Sequence, residues 1–339
     1  MGRLKFLSKK DKLRLSNEQT WQLCERHALF SDTNPQLLVN PPADFQLRSH
    51  QYAWCIYAHQ QAVLQRESTA RVELDAFYRP AREFSQVIVF LPKEKPLLRF
   101  LLAQLNAHLP LGTEVVIVGA KDTGIKSIAK IPLRGFSPVV KGPSGNHCQL
   151  LFTQTTERHH FEPSLAFSQR DELYFLPGVF SFEKKDLGTQ FLLEHLPATI
   201  SGSVLDLGCG CGIISQWLSL QRSPSEITAT DLSALAIAVS KKTLEHCRIP
   251  VHFCLSDGFH QLSGRYDWII SNPPFHQGKQ NDYAITERFI ANAKDHLQPH
   301  GRIILVYNRF LPWHQKLSEQ FATVELLAEN SRYAVSLAR

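Results

Sequence analysis

The chain has 339 residues, 43% of them apolar and 20% charged, with a formal net charge of +6. That length suggests two domains, and the composition is that of an ordinary globular protein. No run of about 18 apolar residues is present to cross a membrane, and the basic stretch over residues 1–12 is not followed by the apolar core of a secretory signal. Seven cysteines without a Cys-x-x-Cys pair argue for reduced thiols, hence a cytoplasmic protein. Cys209 and Cys211 flank Gly210 but have no further ligands at a plausible spacing, so no metal is expected.

The charge is unevenly spread. Residues 1–165 hold 21 Lys and Arg against 14 Asp and Glu, a net +7, whereas residues 166–339 hold 16 against 17, a net −1. A basic first half attracts phosphate backbones without reading their sequence. Its densest stretch contains Lys121, Lys126, Lys130, Arg134 and Lys141. A helix over 122–130 would put Lys126 and Lys130 on one face, and Pro132 would end it.

Also in the first half, Asn40-Pro41-Pro42 reads as a turn. Residues 100–119 (FLLAQLNAHLPLGTEVVIVG) align without a gap on residues 289–308 (FIANAKDHLQPHGRIILVYN), and 87–92 (VIVFLP) resembles 268–273 (WIISNP). Each longer segment is a helix, a Pro-x-Gly turn and an apolar strand, so the first half reads as a copy of the second. It lacks a glycine loop, and Leu91 falls where the second half has Asn272. Residues 158–171, polar with one proline, read as a linker, which gives domains of 1–165 and 166–339.

In the second half, strands are expected at 203–207, 227–230, 251–255, 268–270 and 302–307. Helices are expected at 213–220, 234–247 and 286–297. Such alternation implies a parallel sheet covered on both faces, an α/β fold. Residues 204–212 read VLDLGCGCG: a strand, then Gly208, Gly210 and Gly212, then a helix. Glycine is needed where backbone turns sharply and approaches a ligand. Dinucleotide sites use a related loop, but Ile213 stands where their third glycine belongs. Asp206, two residues before the first glycine, suits a ligand ammonium group, which a nicotinamide dinucleotide lacks. That favours S-adenosylmethionine over NAD. Asp231 lies 23 residues past Gly208 at a strand end, followed by Leu232, and can chelate ribose hydroxyls. Asp257 ends the third strand, where an adenine amine would be read.

The most specific feature is the strand ending in Asn272-Pro273-Pro274-Phe275. An exocyclic amine is a poor nucleophile because its lone pair is delocalised. Two acceptors on its hydrogens, Asn272 Oδ1 and the Pro273 carbonyl, draw the nitrogen toward tetrahedral geometry. The prolines fix φ and hold that carbonyl. Phe275 offers a flat face to a base, a contact of about 1–3 kcal/mol. No general base is demanded.

With LPGVFS at 176–181, DLGTQFLL at 186–193, VLDLGCGCG, IISNPPFH at 269–276 and NRFLP at 308–312, the chain resembles the RsmC-type small-subunit ribosomal RNA guanine-N2 methyltransferases. The resemblance implies a Rossmann-like class I methyltransferase domain behind a degenerate methyltransferase-like domain. It also implies S-adenosylmethionine as donor and, as target, guanine 1207 of 16S rRNA in the assembled small subunit. Cys211 departs from the alanine expected there. On this resemblance Phe180 either contacts base or cofactor or packs as a buried side chain, and Asn308 and Pro312 either line the target pocket or are structural; the charge excess of the first half, independently, assigns an RNA grip to Lys126 and Lys130. A monomer is expected. The alternatives are a glutamine methyltransferase of translation release factors, which shares the Asn-Pro-Pro-aromatic motif, and a non-catalytic RNA-binding assembly protein.

Overall fold

The computed structural model describes residues 9–43, 45–67, 71–80, 82–180, 186–273 and 280–339. Pro274 and Phe275 lie outside the described residues. The chain forms two compact units, Met1–Ala166 and Phe167–Arg339.

The first unit runs α1 (Lys9–Arg26), β1 (Gln36–Val39), β2 (Gln51–Cys55), α2 (Ala58–Glu67), β3 (Arg71–Leu74), β4 (Gln86–Phe90), α3 (Lys95–His108), β5 (Glu114–Ala120), α4 (Ile125–Ile128), β6 (Val140–Gly145) and β7 (Cys148–Gln154). Its sheet has the order β3-β2-β1-β4-β5-β7-β6, with β7 joined antiparallel to both β5 and β6. Both faces of the central strands are buried, so Val87, Ile88, Val89, Val116, Ile117 and Val118 form the near-continuous apolar runs of a covered parallel sheet. Leu98, Leu101 and Leu105 of α3, fully buried, supply part of that cover.

The second unit runs β8 (Ser168–Arg170), β9 (Leu173–Phe175), α5 (Leu187–Glu194), β10 (Ser201–Leu207), α6 (Ile213–Gln221), β11 (Ser223–Asp231), α7 (Ala234–Thr243), β12 (Val251–Leu255), β13 (Tyr266–Ser271), α8 (Gln280–Ala293), β14 (Leu297–Asn308), α9 (Trp313–Gln320), β15 (Val324–Glu329) and β16 (Tyr333–Ala338). The order β12-β11-β10-β13-β14-β16-β15 repeats the first sheet strand for strand. Ligands of such open sheets bind beyond the carboxyl ends of the strands, where the order reverses. Here that point lies between β10 and β13.

The repeated order gives the sequence correspondence a structural meaning. β5 and β14 hold the same place, as do β4 and β13, so Leu91, directly after β4, stands where Asn272 stands after β13. Asn40 follows β1 as Gly208 follows β10. There the turn is closed from within: Gln60 Nε2, buried, donates to Asn40 Oδ1 at 2.9 Å and to the Pro41 carbonyl at 2.8 Å.

Several expectations need correction. The helix over 122–130 is one α-turn, Ile125–Ile128, because Gly124 adopts φ +85° and breaks the chain from a 3-10 turn at Lys121–Thr123. Lys130 lies past the turn, so no shared helix face joins it to Lys126, although both are exposed. The sheet is mixed, since β16 runs antiparallel to β14 and β15. The stretch read as a linker contains the start of the β8–β9 hairpin. The helix expected at 286–297 spans Gln280–Ala293, and β14 begins five residues early, at Leu297.

Candidate active site

Asp206 sits near the end of β10 with no exposed surface. Its Oδ2 accepts from the Ser215 amide at 3.1 Å and the Ser215 hydroxyl at 2.6 Å. Its Oδ1 is buried and has no hydrogen-bond partner among the described residues. Burial raises the carboxyl to about 7; the Ser215 bonds oppose this and the nearby Asp231 charge adds to it. A buried carboxylate oxygen without a donor is costly unless a ligand supplies one.

The loop that follows is pinned from beneath. The amides of Gly208 and Cys209 both donate to the Thr230 carbonyl, at 2.8 and 2.9 Å, and Ser240 Oγ of α7 donates to the Gly210 carbonyl at 3.0 Å. Gly208 has φ +80°, and a Cβ built there meets no described atom within 4 Å, so the backbone turns left-handed and faces open space. A Cβ on Gly210 would touch Phe180, whose own Cβ is 4.0 Å away. Phe180, 47% exposed, therefore lies over the loop. Gly212 (φ +81°) begins α6 against Ser240, and Cys211 is accommodated as a buried side chain.

Asp231, partly exposed at the end of β11, is tied into the same loop. Its Oδ2 accepts from the Gly210 amide at 3.0 Å and its Oδ1 from the Ser233 amide at 2.9 Å. Burial raises its carboxyl and these backbone amides oppose the rise. Each oxygen keeps a lone pair for a further donor. Leu232 is half-buried beside it. Asp257, the residue expected to read an adenine amine, lies past β12. It also meets Arg288 of α8, with Oδ1 3.6 Å from Nη2, and lines a cleft with Gly258, Phe259 and His296.

β10 and β13 are parallel neighbours, with Asp206 opposite Ile270. Gly208 and Asn272, each two residues further on, thus emerge side by side. Ser271 Oγ donates to the Leu207 carbonyl at 2.6 Å and clamps the two strand ends together. Asn272 is half-buried and Pro273 buried. Asn272 Nδ2 donates to Asp186 Oδ2 at 2.8 Å and to Thr189 Oγ1 at 2.7 Å. Asp186 caps α5, its Oδ2 also accepting from the Thr189 amide at 2.6 Å and hydroxyl at 2.9 Å. An ionised carboxylate only accepts, so the amide nitrogen must face Asp186, and Oδ1 points away from it. Asp186 and Thr189 were not singled out from sequence as site residues. The available signal was the Asp-x-x-Thr helix start inside the DLGTQFLL segment.

Asn308 ends β14, the strand next to β13, and is half-buried; Phe310 just beyond it is 73% exposed. Lys126 and Lys130 belong to the other unit.

The Methyltransferase small domain model matches residues 171–336, and the Methyltransferase small domain N-terminal model matches residues 22–169. The chain is 34% identical to the ribosomal RNA small subunit methyltransferase C of Mannheimia succiniciproducens, over 93% of this chain and 97% of the relative. It is 31% identical to the protein of the same name from Haemophilus influenzae, again over 93% and 97%. Among solved structures it resembles the Thermus thermophilus 16S rRNA N2 G1207 methyltransferase bound to AdoMet and guanosine. That match has a TM-score of 0.77 and 21% identity, and covers 95% of this chain and 91% of the other, a likeness of fold. With both halves matched and identities above 30% along nearly the whole length, the chain belongs to the ribosomal RNA small subunit methyltransferase C family.

Proposed function

We propose that the chain methylates the exocyclic N2 of a guanine in 16S ribosomal RNA, using S-adenosylmethionine, within the small ribosomal subunit. The observation that carries this reading is the juxtaposition of two strand ends. The Asp206–Gly212 loop ends β10, and Asn272, with its amide oxygen turned away from Asp186, ends the adjoining β13. The family's relatives, named for the small-subunit rRNA, support the target, and the guanine position is carried over from the Thermus thermophilus enzyme's name.

The residues fit the donor. The buried Asp206 Oδ1 calls for a hydrogen-bond donor such as an ammonium group, and the space above Gly208 admits a ligand backbone. Asp231 retains acceptor capacity for ribose hydroxyls, Leu232 lies beside it, and Asp257 takes the adenine amine. S-adenosylmethionine, when bound, supplies a methyl group activated by a sulfonium, so alignment does much of the catalysis. Asn272 Oδ1 and the Pro273 carbonyl accept the two hydrogens of the guanine amine and aim its lone pair. Pro274 and Phe275 lie outside the described residues, and the sequence motif alone assigns them a second fixed φ and a flat face for the base. Phe180 closes the loop side, and Asn308 lines the base side.

A base still paired and stacked cannot reach a strand end, so the target is splayed out at a cost of a few kcal/mol. The first unit helps offset this by docking RNA through phosphate contacts, Lys126 and Lys130 among them. The enzyme acts as a monomer in the cytoplasm, where small subunits are made. The test is transfer of radiolabelled methyl from the donor to small subunits that lack the modification. Wild type labels one guanine of 16S rRNA, whereas Asn272→Ala loses at least about a hundredfold in rate with donor affinity nearly intact. An Asn272→Ala enzyme within tenfold of wild type refutes the assignment.

A further inference from the structure

We infer that Asp186 and Thr189 are positioning residues for methyl transfer, which lock the Asn272 side chain with Oδ1 presented to the target amine. The inference rests on Asn272 being the acceptor.

An asparagine amide is free to turn over, because its terminal torsion is broad and roughly two-fold. In one orientation Asn272 offers an oxygen, which accepts an amine hydrogen. In the other it offers an NH2 group, which repels one. The choice is made by what meets the far side of the amide. On that side Nδ2 meets two acceptors, Asp186 Oδ2 at 2.8 Å and Thr189 Oγ1 at 2.7 Å. The Thr189 proton is committed to the same Asp186 oxygen at 2.9 Å, so the threonine can only accept from Asn272. A turned amide would set its oxygen against a carboxylate, and Thr189 could donate to it only by giving up its bond to Asp186. It would lose two hydrogen bonds, one of them charge-assisted.

The lock is itself anchored. Thr189 is 4% exposed, and its amide donates to Asp186 Oδ2 at 2.6 Å, which fixes the carboxylate at the first turn of α5. A Cβ on Gly188 would lie 3.2 Å from both Asp186 Oδ2 and the Tyr333 ring, so the turn has little room to shift. Asp186 therefore joins a helix cap to an acceptor far along the chain.

The experiment compares Thr189→Val and Asp186→Ser with Thr189→Ser and Asp186→Asn in the full chain, using radiolabelled donor and unmodified small subunits. Valine keeps the shape of threonine and removes its oxygen. Serine at 186 keeps a helix cap but is too short to reach Asn272. Thr189→Val and Asp186→Ser are expected to lower kcat about 10–100-fold, the range for displaced supporting groups. KM for the subunit and Kd for the donor should stay within about twofold, and thermal stability of Thr189→Val close to wild type. Thr189→Ser and Asp186→Asn, which restore an acceptor without requiring a charge, should recover most of the rate. A Thr189→Val enzyme with wild-type kcat overturns the inference while leaving the role of Asn272 intact. Losses in donor affinity or stability that parallel the loss in rate overturn it in favour of a structural role. An active Asn272→Ala enzyme, by contrast, removes the acceptor reading on which the inference rests. Should Asp186→Ser fail to fold, the Thr189 pair decides alone.

Discussion

Replacing Asp206 by Asn should make the donor-free second unit more stable at pH 8 while changing little near pH 4. The wild-type carboxyl lies at about 7 when folded, against 3.8 as its ordinary value, because burial disfavours its charge. Across that window the folded state holds a proton that the unfolded chain has released, so stability falls as pH rises and levels off above 7. At 1.36 kcal/mol per unit, the interval from 3.8 to about 7 corresponds to about 4 kcal/mol, of which about 3 falls between pH 5 and 8. The substituted amide would keep an acceptor for Ser215 and carry no charge to bury. The assay is calorimetric unfolding of both proteins across this range, the relevant transition being the one that added donor raises. Saturating donor should flatten the wild-type slope, since a paired ammonium group favours the ionised carboxylate. Donor binding at pH 6.5 should correspondingly release about three-quarters of a proton, read from buffers of different ionisation enthalpy. A stability gap between the two proteins that is the same at pH 5 and pH 8 refutes the reasoning.

Asp231→Ala should weaken donor binding at least tenfold, since it strips acceptors from the Gly210 and Ser233 amides as well as from the ribose; titration calorimetry against the donor and against NAD checks this. Exchanging Lys126 and Lys130 for Glu should raise KM for the small subunit several-fold, most at low salt, with donor affinity unchanged. Equal KM values at low salt would remove these lysines from the RNA contact.

The parts of the site that sequence made legible are those set by local backbone. Gly208, Gly210 and Gly212 take positive φ in a loop of five residues, and Asp206, Asp231 and Asn272 fall at strand ends that an apolar run announces. The support for Asn272 was not legible in this way. Asp186 and Thr189 lie 86 and 83 residues before it, and only the crossing of α5 over the sheet brings them together. The Arg288 partner of Asp257 was hidden for the same reason. The shared face that a helix over 122–130 would give Lys126 and Lys130 does not form, because Gly124 is left-handed and ends helical propagation. The antiparallel β15–β16 ending carried no clear alternation, its outer strand being exposed at an edge. The duplication is visible in sequence in one helix–turn–strand unit and one further strand, and its full extent appears only in the repeated strand order.

Nucleoside mass spectrometry of 16S ribosomal RNA from cells lacking this chain reads the proposed methylation itself. The expected result is the loss of one N2-methylguanosine per 16S molecule, restored by the wild-type chain and not by Asn272→Ala. An unchanged 16S profile, with a methylated glutamine missing instead from a translation release factor, would contradict it.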